Sequence, residues 1–310
     1  MGISGFLQPI ASSLTYICVL VLATFAVTLI FKTSATTNFA QGSVAAFGCY
    51  WASSFLVVAG WGIWESLLVG VIFGILCGLF IDLVIFRNGK HVNLVGKQII
   101  TMGLVSVIAN IIPMLFKFAM VTTPNIPPLS NAPLINVELF DGSSIVITPH
   151  SLVCVGITVT IIVILFLLLK FSKWGLGVRT TASNEYVAQM MGVNTYAITA
   201  ISWGIAGGLG ALAAVMFTGE NGVMTGPYFM TDFQVNAFLA GILGGFGTFF
   251  GPIICAVIIP LAKVLIDYLV YIDGFEIISK WDTTIVYILV MIAIFIKPTG
   301  LFGKKMVKKV

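Results

Sequence analysis

Six stretches of this chain contain no Asp, Glu, Lys or Arg: residues 1–31, 33–64, 98–116, 151–169, 186–219 and 233–262. A helix needs roughly 17–25 apolar residues to cross a bilayer, so each stretch is long enough to span. The runs at 33–64, 186–219 and 233–262 are long for one crossing. All six are apolar on every side, which predicts buried or lipid-facing helices. An outer-membrane barrel would instead alternate apolar and polar residues over strands of about ten residues. Only 8% of the 310 residues are charged and 59% are apolar. Soluble domains carry about 25% charge, so a soluble enzyme, a nucleic-acid binder and a disordered chain are all excluded. The expected fold is an all-α polytopic membrane protein, a single domain over 1–310.

Cutting at polar, Gly and Pro punctuation gives about nine transmembrane or re-entrant helices. The expected spans are 6–31, 38–59, 62–86, 97–118, 150–170, 195–218, 233–249, 252–272 and 282–297. Orientation follows from Lys and Arg, which concentrate on the cytoplasmic side. Lys32, Arg87, Lys90, Lys97, Lys170, Lys173, Arg179, Lys297, Lys304, Lys305, Lys308 and Lys309 fall on one side of this pattern. That puts the N-terminus outside and the C-terminus in the cytoplasm. Lys117 and Lys280 fall at the outer side, and Lys263 lies within a span. The segment 119–149 has no Lys or Arg and holds Pro124, Pro127, Pro128, Pro133 and Pro149, so it reads as a rigid, non-helical external loop. Trp61, Trp64, Trp174 and Trp281 fall near the expected interfaces. No positive charge precedes Lys32, so the first apolar run is expected to stay on the protein rather than act as a signal peptide.

The span 233–249 holds Gly241, Gly244, Gly245 and Gly247 and is followed by an uncharged turn, so a broken or re-entrant helix is one reading of it. Residues 39–48, FAQGSVAAFG, align with 238–247, FLAGILGGFG, at an offset of 199 residues. Five crossings would separate them, which makes them a candidate inverted repeat. Asn38, Phe39, Gln41 and Gly42, with the four glycines, are therefore candidates for a translocation pathway. Gly70, Gly74 and Gly78, and Gly204 and Gly208, lie at helical spacing and predict close helix packing.

Soluble catalytic chemistry has no counterpart here. There is no HExxH, no Cys/His cluster and no P-loop, so no metal and no ATP site is expected on this chain. Cys18, Cys49, Cys77, Cys154 and Cys255 all sit in apolar runs, as small buried hydrophobes do. Lys263 and Asp267 lie four apart within a span, a spacing that predicts an intramembrane ion pair. Glu65 and Asp82 lie close enough to span ends to reach water.

Residues 174–194, WGLGVRTTASNEYVAQMMGVN, form the most informative loop. Ser183 or Asn184 can cap a short helix, Glu185 complements its N-terminal dipole and Gly192 can end it. Val187, Met190 and Met191 give it an apolar stripe that suits lipid or a groove on a soluble partner.

Four motifs occur in order: NFAQGSVAAFGCY at 38–50, RTTASNEYVAQMMGVN at 179–194, AFLAGILGGFGTFFGP at 237–252 and KPTGLFG at 297–303. Together they resemble the permease subunits of ABC importers for branched-chain amino acids, of the LivH-like branch. The resemblance implies a subunit in the bacterial or archaeal cytoplasmic membrane that moves solute by alternating access. It implies a second related permease subunit, two cytoplasmic ATPase subunits that carry ATP and magnesium, and an extracytoplasmic solute-binding protein. Residues 182–192 would be the coupling helix that docks into an ATPase, with Arg179, Ala182, Glu185, Ala188, Gly192 and Asn194 matching the motif. Gln41 stands where family members often have His, and GGFGTFFGP at 244–252 is bulkier than the usual turn. Urea- and amide-type importers share the architecture, and a single-chain secondary carrier is a rival reading.

Overall fold

The computed structural model describes residues 4–89, 92–117, 126–138, 144–222, 226–273 and 281–303. Lys90, Pro124, Lys280, Lys304, Lys305, Lys308 and Lys309, used above for orientation and loops, lie outside the described residues. The remainder is mostly helical. From the N-terminus the elements are α1 (Ser4–Ser12), α2 (Leu14–Ser34), α3 (Gln41–Val57) and α4 (Ile63–Phe80), which runs on into a π-helical segment, Ile81–Phe86. Next come α5 (Leu94–Leu115), strands β1 (Ile135–Glu138) and β2 (Ser144–Ile147), α6 (Pro149–Phe171), α7 (Lys173–Ser183) and α8 (Glu185–Met190). The last helices are α9 (Thr195–Asn221), α10 (Thr231–Gly244), α11 (Phe250–Asp273) and α12 (Asp282–Ile296).

Six of these are long and apolar enough to cross a membrane: α2, α4 with its π extension, α5, α6, α9 and the Phe250–Tyr268 part of α11. The other three expected spans are shorter helices, α3 with 17 residues, α10 with 14 and α12 with 15. At a rise of 1.5 Å per residue, α10 covers about 21 Å, less than the ~30 Å of a hydrocarbon core.

Burial orders the bundle. The spanning windows of α2 and α9 are 78% and 83% buried, whereas those of α4, α5 and α6 are 28%, 22% and 22% buried. So α2 and α9 form the centre, and the other three present apolar sides outward. The glycine faces explain how α4 reaches α9. A side chain on Gly78 would collide with the Trp203 carbonyl, and Gly74 and Gly207 each approach the other's backbone in the same way. Such backbone contact is the packing expected of small residues between membrane helices. Gly207 makes the closest approach, while Gly204 and Gly208 face the more yielding side chains of Leu79 and Ile75. Cys18, Cys49, Cys154 and Cys255 are buried and Cys77 is half-buried.

Two expectations change. The first expected span divides at Ser13 into α1 and α2. There Gln8 reaches across to β2: its Nε2 donates to Val146 O at 3.0 Å and its Oε1 accepts from Val146 N at 2.8 Å. The fold is also not purely helical, because β1 and β2 form an antiparallel hairpin with Ile135 opposite Ile147. The segment expected outside is non-helical where described up to Thr148, and it is anchored by a histidine. His150 is buried. Its Nδ1 accepts from Leu129 N at 2.9 Å, which leaves Nε2 to donate to Met216 O at 3.0 Å on α9. Glu220 lies 3.8 Å from the same ring nitrogen.

Candidate functional site

Between α2 and α3 the chain leaves helical geometry. Ala35 takes a left-handed conformation, φ 51°, and the following residues run irregularly to Gln41. A buried irregular segment must satisfy its backbone groups without water. Here polar side chains do so. Asn38 Oδ1 accepts from Ala40 N at 2.9 Å, and Asn38 Nδ2 donates to Gln41 Oε1 at 3.1 Å. Gln41 Nε2 in turn donates to Ala206 O, 2.7 Å away in the middle of α9. The Phe39 N–H reaches Thr101 Oγ1 on α5 at 3.2 Å. Asn38 and Gln41 are almost fully buried.

The closing partner comes from α10. Gln234 Oε1 accepts from Gly42 N at 2.6 Å, and its Nε2 donates to Phe39 O. Gly42 N–H is one of the first four donors of α3, which lack intrahelical partners. Gln234 thus caps α3 from a distance of 192 residues in sequence. A Cβ on Gly42 would lie 2.9 Å from both Gln234 Oε1 and Met230 O, so only glycine lets α10 approach this closely. Phe39 and Phe238 rings sit 5.2 Å apart beside the network. Gln41, Gly42, Gly210, Phe233 and Gln234 surround a cavity of ≈ 10 Å³, room for about one water. The polar cluster is therefore closed.

Gln234 and Thr101 were not singled out from sequence. A signal existed for the first: Gln234 and Asn236 are polar residues inside the charge-free run 233–262. Asn236 joins a second set of contacts, accepting from Tyr287 Oη at 3.1 Å and donating to Tyr16 Oη at 3.1 Å.

The glycine set separates from this cavity. Gly241 packs against the Phe246 ring, and Gly244 meets the backbone of Gly251 and Pro252. Gly245, with φ 84°, lies against Gly300, with φ 81°, in the terminal turn. That turn caps α10, since Leu301 N donates to Leu243 O at 2.7 Å and Phe302 N to Gly244 O at 3.3 Å. The KPTGLFG motif thus supplies donors for carbonyls that a helix end leaves unpaired. Gly247 is exposed and its carbonyl accepts from Lys32 Nζ at 2.8 Å. It lines a 750 Å³ cavity with Lys32, Ala182, Asn184, Glu185 and Thr299. The aligned segments 39–48 and 238–247 also differ locally: the first enters α3, whereas the second leaves α10.

The loop 174–194 holds two helices where one was expected. Ser172 caps α7 by accepting from Gly175 N at 3.0 Å, and Arg179 bonds back to the carbonyls of Gly175 and Lys170. Ala182 and Ser183 belong to the end of α7, so the expected helix 182–192 contracts to α8, Glu185–Met190. Its caps are as read: Asn184 Oδ1 accepts from Val187 N at 3.1 Å and Gly192 turns the chain with φ 83°. Ala188 is buried, while Tyr186, Met190 and Met191 are 71%, 73% and 79% exposed. Asn194 Oδ1 caps α9 through Ala197 N at 3.1 Å.

Lys263 and Asp267 are not an ion pair within 4 Å. Among the described residues the one such contact is His150–Glu220. Lys263 holds its ammonium 5.8 Å from the Tyr287 ring centroid. Asp82 is 5% exposed, on the wall of a cavity that opens near the end of its span.

Comparison with known proteins agrees with this architecture. The model of the family described as branched-chain amino acid transport system / permease component matches residues 10–295. The high-affinity branched-chain amino acid transport system permease protein LivH of Escherichia coli K12 is 23% identical over 98% of both chains. The probable branched-chain amino acid transport permease protein LivH of Methanocaldococcus jannaschii is 28% identical over 94% of this chain and 90% of its own. Among solved structures, PsaBC from Streptococcus pneumoniae in complex with Fab aligns with a TM-score of 0.52 at 12% identity. It covers 95% of this chain and 92% of that one, a likeness of fold alone. With its match running through nearly every helix, this multi-pass membrane chain belongs to the branched-chain amino acid transport system permease component family.

Proposed function

We propose that the chain is the membrane-spanning subunit of an ATP-driven importer for branched-chain or other small hydrophobic amino acids. The observation that carries this reading is the family match over residues 10–295. The chain pairs with a second related permease subunit and receives solute from an extracytoplasmic binding protein. Two cytoplasmic ATPase subunits hydrolyse ATP, and the assembly resides in the cytoplasmic membrane. In this reading the end bearing Lys32, Lys97, Lys173 and Lys297 faces the cytoplasm, and the hairpin of β1 and β2 faces out.

The geometry supports alternating access around the break at 35–40. Polar backbone within an apolar bundle is tolerated only against protein or a cavity, and such breaks are where transport sites are built. Asn38, Phe39, Gln41 and Gly42 would line the pathway, here shut by Gln234. Gly241, Gly244 and Gly245 act by letting the turn after α10 pack tightly, and Gly247 borders the inner cavity. α8 offers Tyr186, Met190 and Met191 to an ATPase groove, with Arg179, Ala182, Glu185, Ala188, Gly192 and Asn194 shaping or supporting that surface.

Substrate class is tested by radiolabelled leucine uptake in cells lacking and regaining this chain. Restored uptake that excess isoleucine or valine suppresses, and urea or acetamide does not, is the expected result. Suppression by urea or amides alone would assign the chain to an amide importer.

A further inference from the structure

A second cavity, of ≈ 210 Å³, opens at the same basic end, between the end of α2, the π segment after α4, the start of α5 and the start of α9. Four charged side chains line it: Asp82 and Glu185, and Arg87 and Lys97. None of the four is paired with another within 4 Å, since His150–Glu220 is the one such contact among the described residues. Asp82 is 5% exposed, a costly place for a carboxylate. It sits in the six-residue π segment, a departure from α geometry that is frequent at functional sites. Arg87 and Lys97 are its charged neighbours in the cavity wall, and its carboxyl is within reach of Thr199. Arg87 is steadied over the Tyr196 ring at 6.0 Å.

This lining selects its ligand. A lone cation would meet Arg87 and Lys97, and a lone anion would meet Asp82 and Glu185. A molecule carrying both charges a few bonds apart complements all four. At 210 Å³, the cavity is below the roughly 300–1,000 Å³ of sites for drug-sized ligands, which suits a small metabolite. We infer that this cavity binds a zwitterionic α-amino acid, its ammonium on Asp82 and its carboxylate on Arg87 and Lys97. The site is separate from the closed cavity at Gln41 and Gln234, and it includes Glu185 of α8. The inference rests on the reading of the chain as an amino-acid permease, and it adds a second, inward-facing solute site to that reading.

The test uses the full chain in lipid nanodiscs with tritiated L-leucine as probe. Competitors are isocaproate, which lacks the ammonium, and isoamylamine, which lacks the carboxylate. Binding that unlabelled leucine displaces, and neither competitor does, is expected. Asp82→Asn and Arg87→Gln should each weaken it at least about tenfold, as loss of one charge-assisted hydrogen bond implies. Arg87 is exposed at a helix end, so Arg87→Gln remains informative if Asp82→Asn folds poorly. Asp267→Asn should bind as wild type. Wild-type binding by both site variants, loss of binding only with Gln41→Leu, or equal displacement by isocaproate would each overturn the proposal. Failure of these binding tests in a chain that restores leucine uptake would reject this site alone. Absence of any amino-acid uptake would instead reject the permease reading beneath it.

Discussion

Replacing Gln234 by leucine removes two hydrogen bonds at once and fits the volume closely. The Gly42 N–H would lose its acceptor at 2.6 Å and the Phe39 carbonyl its donor. Two polar groups of the same network are engaged elsewhere, Asn38 Oδ1 with Ala40 N and Gln41 Nε2 with Ala206 O. Two orphaned backbone groups cost about 2–6 kcal/mol at about 1–3 each. Interhelical bonds inside membranes average only about 0.6 kcal/mol, because the unfolded state in lipid also finds partners. Burial decides between these limits. Gln41 and Gln234 are 3% and 8% exposed around a cavity with room for about one water, so bulk water does not reach the orphaned groups and the larger figure governs. Gln234→Leu should therefore lose about 3 kcal/mol, read as a fall of roughly 5–10 °C in the temperature at which half the detergent-solubilised protein aggregates. Val235→Ala, beside it but 44% exposed, is the control and should shift the midpoint by less than about 2 °C. Equal midpoints for Gln234→Leu and wild type would refute the claim that this side chain fastens α10 to the start of α3.

Three further outcomes follow from the same contacts. Gly192→Leu, forced to a φ of 83°, and Glu185→Lys, reversing charge in the first turn of α8, should leave the chain in the membrane yet uncouple ATP hydrolysis from uptake in the assembled importer. Lys263→Leu and Asp267→Leu should have nearly additive effects on thermal stability, with a coupling below about 1 kcal/mol in the double-mutant cycle, because no ion pair within 4 Å joins them. Gly245→Val should abolish stable insertion, as judged by monodisperse elution in detergent, since its φ of 84° and the Thr299 carbonyl 2.6 Å from an added Cβ both forbid a side chain.

Much of the helical framework was legible in charge-free runs, because a membrane helix carries its signal within its own residues. The expected span 195–218 became Thr195–Asn221, and 150–170 became Pro149–Phe171. Asn184 and Gly192 were readable as helix caps for the same reason: capping is local. Contacts across sequence were not. Nothing near Gln234 reveals that its partners are Phe39 and Gly42, and the four-residue spacing of Lys263 and Asp267 hides the competing Tyr287 ring. The hairpin was missed although its signal was present, with Asp141-Gly142 between the β-branched runs at 135–138 and 144–147. The proline count of the segment outweighed it. The glycines at 241–247 were read as one pathway feature, yet they divide between packing against the terminal turn and lining a cavity, a distinction fixed by the chain's return at Thr299–Gly303.

The most direct test reconstitutes this chain with a second permease subunit, two ATPase subunits and the solute-binding protein in liposomes, and measures radiolabelled leucine accumulation. Accumulation that requires ATP and ceases when the ATPase subunits are omitted is the predicted result. Accumulation by this chain alone, driven by a proton or sodium gradient and indifferent to ATP, would contradict it and establish a secondary carrier.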